Sequence, residues 1–478
     1  MGNTMNALSE PITSKHTDQG VMAVDAEVDG EEKSRKSRET SEELTIRYAS
    51  SSMQGWRVTM EDAHLLVPSP KISMPQEDIG HITLKNHALF AVFDGHGGDF
   101  TSLYACEHML RVLTARKEMV EYARMENDER GDVPGVELLK SAMEGAFIDL
   151  DEELRQRFRQ NIADVLSAEL ERRQAHNEGR TPDNTAIRQL EPIPILSYSP
   201  EESGVEVPLM LETSTNTVKL DRSGSTAVAV LLTPTHIICA NAGDSRAILV
   251  KSGRALPLSF DHKPTNHVER SRILRAGGEV RTRRVDGDLA VSRGLGDFRF
   301  KDEAKLKADK QKVSAKPDLI VNPRDSAADE FIVLACDGIW DVMQNSDCAK
   351  AVQEILDEGE TNVGLVCEEI LDKCLYLESR DNMTACVVAL PACKIMSEAE
   401  IKNKGKCGVK ELRERRKESG LTPGQARKAK AVAQSAVGTL DSSLANSGAS
   451  NRNGADANAL SLQSFVTEHN AQAPLATE

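Results

Sequence analysis

Three aspartates of this 478-residue chain share one placement, at or beside the end of an apolar, strand-length run. Asp94 follows Phe90-Ala91-Val92-Phe93, and Asp337 follows Ile332-Val333-Leu334-Ala335-Cys336. Asp381 stands four residues before Ala385-Cys386-Val387-Val388. A carboxylate at a strand end is held at the rim of a sheet, where several such groups can converge on one cation. Glycines beside them (Gly95, Gly97, Gly98, Gly338) let a backbone carbonyl approach as a further oxygen donor. All-oxygen ligation suits Mg²⁺ or Mn²⁺ and not zinc. Any one of these aspartates taken alone is more often a turn residue bonded to its own backbone. Only their convergence would make a site.

The elements that must position them can be read from periodicity. Ala88 to Phe93 is a continuous apolar run, as expected for a strand buried on both faces. Phe100 to about Met125 has helical spacing. Ala227–Leu232 and His236–Ala240 flank a Thr-Pro-Thr turn and read as a hairpin, with Arg246–Val250 continuing it as a meander. Val268–Arg275 reads as a helix ended by Gly277-Gly278. Phe331–Cys336 is another buried strand, Ser346–Leu356 and Val363–Leu377 are helices, and Ala385–Leu390 is a closing strand. Hairpin strands with helices grouped apart predict an α+β layered fold.

This pattern divides the chain into a polar, disordered leader (1–44), one folded domain (45–395) and a tail (396–478). The domain carries a variable insertion at about 119–220, too thin in apolar residues for a core of its own. The tail begins basic, with eleven Lys/Arg against three Glu over 401–431, and ends in low-complexity sequence. Overall the net charge is −16 and aromatics are only 4%. That disfavours nucleic-acid binding, which needs a positive field and stacking platforms. No apolar run approaches the roughly 20 residues of a membrane span. Nine cysteines without a CxxC pair, together with the lack of an apolar leader, suggest reduced thiols in a cytoplasmic or nuclear protein.

Eight segments, in order, resemble the motifs of the PP2C (PPM) family of metal-dependent protein serine/threonine phosphatases. They are Ser52-Met53-Gln54-Gly55-Trp56-Arg57-Val58-Thr59-Met60-Glu61-Asp62-Ala63-His64, Phe90 to Gly98, Asp221 to Ala227 and Asn241 to Arg246, followed by Asp261 to Pro264, Leu289 to Asp297, Cys336 to Val342 and Ser379 to Thr384. The resemblance covers about 45–392 apart from the insertion. It implies a β-sandwich of two antiparallel sheets flanked by helices on both sides, in αββα layers. It also implies two Mg²⁺ or Mn²⁺ per active site and a weaker third. Asp94 would bridge two metals with the Gly95 carbonyl on one, and Asp337 and Asp381 would complete the other. Glu61 and Asp62 would act largely through bound waters, and Arg57 would clamp the phosphate. Asp221 and Asp341 resemble third-metal positions. A general acid must protonate the departing seryl or threonyl oxygen, and His96 is the candidate; its bland reading is a structural histidine bonded to a carboxylate.

Two rivals are weighed against this. Asp94-Gly95-His96 with Gly243-Asp244 imitates a calcineurin-like metallophosphoesterase, but the 150-residue gap is too long and the Gly-Asn-His element is missing. A catalytically silent scaffold would be expected to lose Arg57 or a bridging carboxylate, and all are present. The expected partners are phosphorylated proteins, with the chain a monomer. Gly2 could be myristoylated, giving weak membrane contact, although Asn6 stands where that pattern wants Ser or Thr. The basic stretch 401–431 is either a solvated charged helix or an import or acidic-partner patch. A loop from His262 to Arg284 is expected to shape substrate access.

Overall fold

The structure is a computed structural model that describes residues 10–24, 44–74, 80–177, 193–194, 210–212, 217–221 and 223–397, with residues 8 and 400; over 159–177 and 193–221 it describes backbone only. Gly2, the basic stretch and the rest of the tail lie outside these residues. All described residues belong to one unit, residues 1–423.

Six strands form the first antiparallel sheet: β1 (Ile12–Val24), β2 (Leu44–Gly55), β7 (Arg246–Lys251), β8 (Arg254–Pro257), β10 (Asp329–Ala335) and β11 (Met383–Ala389). They are ordered β1-β2-β11-β10-β7-β8. Five form the second: β3 (Ala63–Pro68), β4 (Ala88–Phe93), β5 (Ala227–Leu232), β6 (His236–Ala242) and β9 (Asp318–Pro323), ordered β9-β6-β5-β4-β3. The sheets face each other. Their period-two alternation decides what each side chain touches. In β4, Ala88, Phe90 and Val92 enter the core between the sheets, while Leu89, Ala91 and Phe93 face the helices outside. In β10, Ile332 and Leu334 point inward, and Phe331, Val333 and Ala335 outward. A strand covered on both faces must be apolar at every position, which is why these runs are unbroken in the sequence.

Helices α1 (Phe100–Ala115), α2 (Lys117–Arg124) and α3 (Val133–Asn177) cover the second sheet; α5 (Asn345–Asp357) and α6 (Val363–Tyr376) cover the first. The four layers are therefore αββα, as expected. The α3 stripe Leu139, Met143, Phe147, Leu150, Leu154, Phe158 has the i, i+3/i+4 spacing of a helix with one buried face. Asn362 caps α6 by accepting from the Gly364 and Leu365 amides. Residues 258–315 form an outlying flap with α4 (His267–Arg275), a two-strand hairpin (Val280–Arg281, Arg284–Val285) and its own small core of Ile273, Val285, Leu289, Val291, Phe300 and Val313. Among the described residues no helix is long and apolar enough to cross a membrane, and the eight described cysteines are free.

Four expectations need correction. The leader is not featureless, because residues 12–24 form β1, paired with β2 from Lys15↔Met53 to Val24↔Leu44. Its polar sequence is that of an edge strand, which buries little beyond Met22. Residues 117–158 are not an insertion: Met119, Tyr122, Leu139, Phe147 and Phe158 are fully buried in the outer helical layer. The single helix expected over 100–125 is broken at Arg116, whose backbone is extended and whose guanidinium holds Glu118 and Asp149. Arg246–Lys251 does not continue the hairpin as a meander; it crosses to the other sheet and pairs with β10.

Removing residues 1–25 should therefore destabilise the fold. Met22 would leave the inter-sheet core, Lys15 would leave Asp372, and the β2 edge would be bared. Losing a buried Met side chain alone costs about 2–5 kcal/mol. We expect a melting temperature lower by several degrees and a rise in light scattering. An unchanged melt would mean β1 contributes nothing.

Candidate metal centre and active site

The two sheets end at a common rim, and there the sequence-expected carboxylates meet. Asp94 directly follows β4, and its backbone carbonyl accepts from the Thr226 amide at 2.9 Å. Asp337 follows β10 after Cys336 and opens a short helical turn, Asp337–Trp340; its amide points at Asp94 Oδ2, 3.4 Å away. Ligand-type atoms of Asp94, Asp244 and Asp337 lie within 4.8 Å of one another, as do those of Asp62, Asp94 and Cys336. Asp94 is the member common to both groups.

Electrostatics report the same crowding. Burial first, then Asp337, Asp62, Asp244 and Asp381, hold Asp94 well above the ordinary carboxylate range. Asp337 is likewise raised by burial and by Asp244, Asp381 and Asp341. Asp62 is pushed up to about 7, chiefly by burial, against the hydrogen bonds from Thr384 and Cys336. The Thr384 hydroxyl donates to Asp62 at 2.7 Å. Asp341 is raised by burial, then by Asp244 and Asp381, with Lys263 opposing. Carboxylates pressed together without enough cations to balance them, in a predominantly oxygen donor set, fit hard divalent cations. Burial and the nearby aspartates hold the Cys336 thiol far above its ordinary pKa.

Two of the named residues frame this cluster. Arg57, half exposed, forms an ion pair with Asp381. Burial alone would lower its pKa, but Asp381, Asp337 and Glu61 outweigh that and raise it. The Glu61 amide donates to Asn382 Oδ1 at 2.9 Å, and Asn382 Nδ2 reaches the carbonyls of Gln54 and Thr59, both at 2.9 Å. The loop carrying Arg57 and Glu61 is thereby tied to the start of β11. Gly95 lies so close to that loop that a Cβ would meet the Glu61 carbonyl at 2.1 Å, so no larger residue fits.

His96 sits in a small sheet of Gly95–His96, Gly224–Ser225 and Leu295–Gly296. Its Nε2 is 2.7 Å from Asp297 Oδ2. Burial works against its charge, but Asp297, then Asp244 and Glu61, leave its pKa above the ordinary value. The structure thus shows His96 bonded to a carboxylate, and its exposed side faces solvent. Asp221 closes the strand Thr217–Asp221, and its side chain lies outside the description.

Sequence reasoning missed Asp244, which sits at the crossover from β6 to β7 and forms an ion pair with Lys263. The signal was there: Asp244 follows the apolar run Ile237–Ala242 just as Asp94 follows β4. Asn382, Asp297 and Lys263 carried no such signal.

Comparison with known proteins accords with this geometry. The family model for protein phosphatase 2C matches residues 46–183 and 158–383. Protein phosphatase 1A of Homo sapiens is 34% identical over 373 residues, 77% of this chain and 78% of that protein. Protein phosphatase ppm-1.A of Caenorhabditis elegans is 33% identical over 382 residues, 79% and 67% of the two chains. A crystal structure of serine-threonine phosphatase 2C from Toxoplasma gondii shares the fold with a TM-score of 0.51 at 21% identity, covering 78% of this chain and 99% of that one. With its motifs in order and its sheet-end aspartates gathered at one rim, the chain belongs to the protein phosphatase 2C family and is a protein serine/threonine phosphatase.

Proposed function

We propose that this phosphatase hydrolyses phosphoserine and phosphothreonine in proteins by direct attack of water, with Mg²⁺ or Mn²⁺ as cofactor and without a phosphoenzyme. The observation that carries the reading is Asp94, shared between two adjacent groups of ligand-type atoms. In this assignment Asp94, with the Gly95 carbonyl, would hold the cations together with Asp337 and Asp381, and Asp244 lies in the same group of ligand-type atoms as Asp94 and Asp337. Asp62 and Glu61 would orient bound waters. Asp341, with Asp221, would hold a weaker third cation. When bound, such cations acidify a water and neutralise phosphoryl charge.

The chain's own residues do the rest. Arg57 turns from Asp381 to the phosphoryl oxygens, to which its planar fork is matched. Asn382 keeps the Arg57–Glu61 loop in place while this happens. The water oxygen bonds to phosphorus as the ester P–O bond breaks. The water gives up one proton to solvent, and His96 passes one to the departing seryl or threonyl oxygen. His96 is then reprotonated from solvent.

The test is phosphate release from a phosphothreonine peptide with Mn²⁺ or Mg²⁺, repeated with EDTA. Activity should vanish with the chelator and return with added metal. Arg57→Ala should retain metal binding and lose about 10²-fold in kcat/KM, about 2.7 kcal/mol. Activity that survives EDTA would overturn the reading.

A further inference from the structure

The reaction needs His96 held at one angle, and the ring does not hold itself. It is 31% exposed on the side chain. Its only hydrogen bond among the described residues runs from Nε2 to Asp297 Oδ2, which leaves Nδ1 as the ring nitrogen free to face a bound phosphoester. Asp297 in turn is almost completely buried, with 1% of its side chain exposed, and adopts a left-handed backbone, φ +52°. It follows Gly296, at φ +70°. Gly296 takes this conformation freely, but for the non-glycine Asp297 it carries a cost that its surroundings must offset.

The surroundings that fix them come from α3. Asp151, buried in the helical layer, accepts from the Gly296 amide at 2.8 Å and from Lys301 Nζ at 2.7 Å. Lys301, 2% exposed, also donates to the Gly294 carbonyl at 2.7 Å. One buried ion pair thus grips the turn 294–301 at three points, on both sides of Asp297. Beneath the pair, Gly224 leaves no freedom. A Cβ there would meet Asp297 Oδ2 at 2.1 Å and His96 Nε2 at 2.5 Å. His96 and Asp297 are packed against bare backbone.

We propose that Asp297 is the positioning residue of the general acid, and that the buried Asp151–Lys301 pair is the clamp that aims it. The proposal rests on the phosphatase reading above. Asp297 accepts a hydrogen bond from Nε2–H, fixes the ring plane and the tautomer, and leaves Nδ1–H to deliver its proton to the leaving oxygen, as carboxylates orient catalytic imidazoles elsewhere. It follows that α3, whose sequence reads as a variable insertion within the domain, contributes to the chemistry.

Two substrates separate positioning from mere structure. A phosphothreonine peptide expels a basic alkoxide that needs a proton, whereas 4-nitrophenyl phosphate expels a weakly basic phenolate that does not. For Asp297→Ala, kcat on the peptide should fall at least about 10-fold further than kcat on the aryl phosphate, as for His96→Ala. Asp297→Asn, which keeps an acceptor oxygen, should recover part of the difference. The double variant with His96→Ala should be no worse than His96→Ala alone. Asp151→Asn should show the same split in smaller measure, and Mn²⁺ affinity by calorimetry should be unchanged throughout. Equal losses on both substrates, or a double variant with multiplied defects, would overturn the proposal while leaving the phosphatase reading intact. Wild-type protein without metal-dependent activity would overturn both.

Discussion

Asp94→Asn is expected to abolish phosphate release and, in the metal-free protein, to raise the melting temperature. The two effects have one cause. Asp94 is half-buried among Asp62, Asp244, Asp337 and Asp381, and desolvation and repulsion hold its pKa well above the ordinary range. A site built to bind cations is electrostatically strained without them. An amide of the same shape relieves that strain and cannot bridge two cations. Activity should fall by about 10³-fold or more, about 4 kcal/mol of barrier. Wild-type protein at 100 times its metal dissociation constant should gain about 2.7 kcal/mol of stability, and the variant should gain little. The sign of the pH dependence follows from the raised pKa values of Asp94, Asp337 and Asp62. Between the unfolded value of 3.8 and the raised native value, the native state binds more protons than the unfolded state, so stability falls as pH rises. In EDTA the wild-type melt should therefore drop from about pH 5 to about pH 8, and that slope should shrink in Asp94→Asn. Scanning calorimetry with and without Mn²⁺ reads all of this. A variant that melts below the wild type in EDTA would show that Asp94 is a structural residue.

What the sequence disclosed and what it hid both follow from the folding code. Strands covered on both faces must be continuously apolar, so β4, β5 and β10 are visible, and with them the carboxylates at their ends. The stripe of α3 is equally regular, yet polar residues around it resemble an insertion; only the tertiary structure shows that Leu139 to Phe158 close the second sheet. The strand β1 was hidden because an edge strand needs few apolar residues, and its register, from Lys15↔Met53 to Val24↔Leu44, is set by partners on a separate strand. Asp244 was visible by the Asp94 criterion and was missed because the turn from β6 to β7 reads as a meander. Its importance comes from the chain crossing there from one sheet to the other. Asp297 closes one of the resembling segments, but its pairing was not legible, since an aspartate 201 residues from its histidine meets it only through the fold.

The flap carries the other large effect, because its two buried arginines share one carboxylate. Glu269, 2% exposed, accepts from Arg272 Nη1 at 2.6 Å, from Arg293 Nη2 at 2.8 Å and from the Ser292 hydroxyl at 2.7 Å. Arg293 reaches on to Asp318 at 2.7 Å, and Asp318 to His262 at 3.1 Å. The His262 amide donates to the Gly243 carbonyl at 2.9 Å, and the Gly243 amide returns a bond to His262 Nδ1 at 3.2 Å. Gly243 precedes Asp244, so the network ends at the metal centre. Glu269→Gln removes the charge between two buried arginines that repel each other, and breaking such a pair costs about 3–5 kcal/mol. The flap has its own small core, so the damage should be local: hydrogen exchange should accelerate across 258–315 while β4, β5 and β10 stay protected. The acid limit follows from the depressed pKa of Glu269, lowered from 4.5 to about 2; burial would raise it, but Arg293, Arg272 and Ser292 outweigh that. Its contribution is complete above 4.5 and is lost as pH falls towards 2, so the wild-type flap should open in that window and the variant should show no such transition. Because the network ends beside Asp244, the loosened flap should also weaken peptide turnover more than aryl phosphate turnover, the larger substrate being the one that must lie across it. Uniform acceleration of exchange in sandwich and flap alike would show instead that Glu269 supports the whole domain, and would exclude the flap as a separately mobile element at the active-site rim.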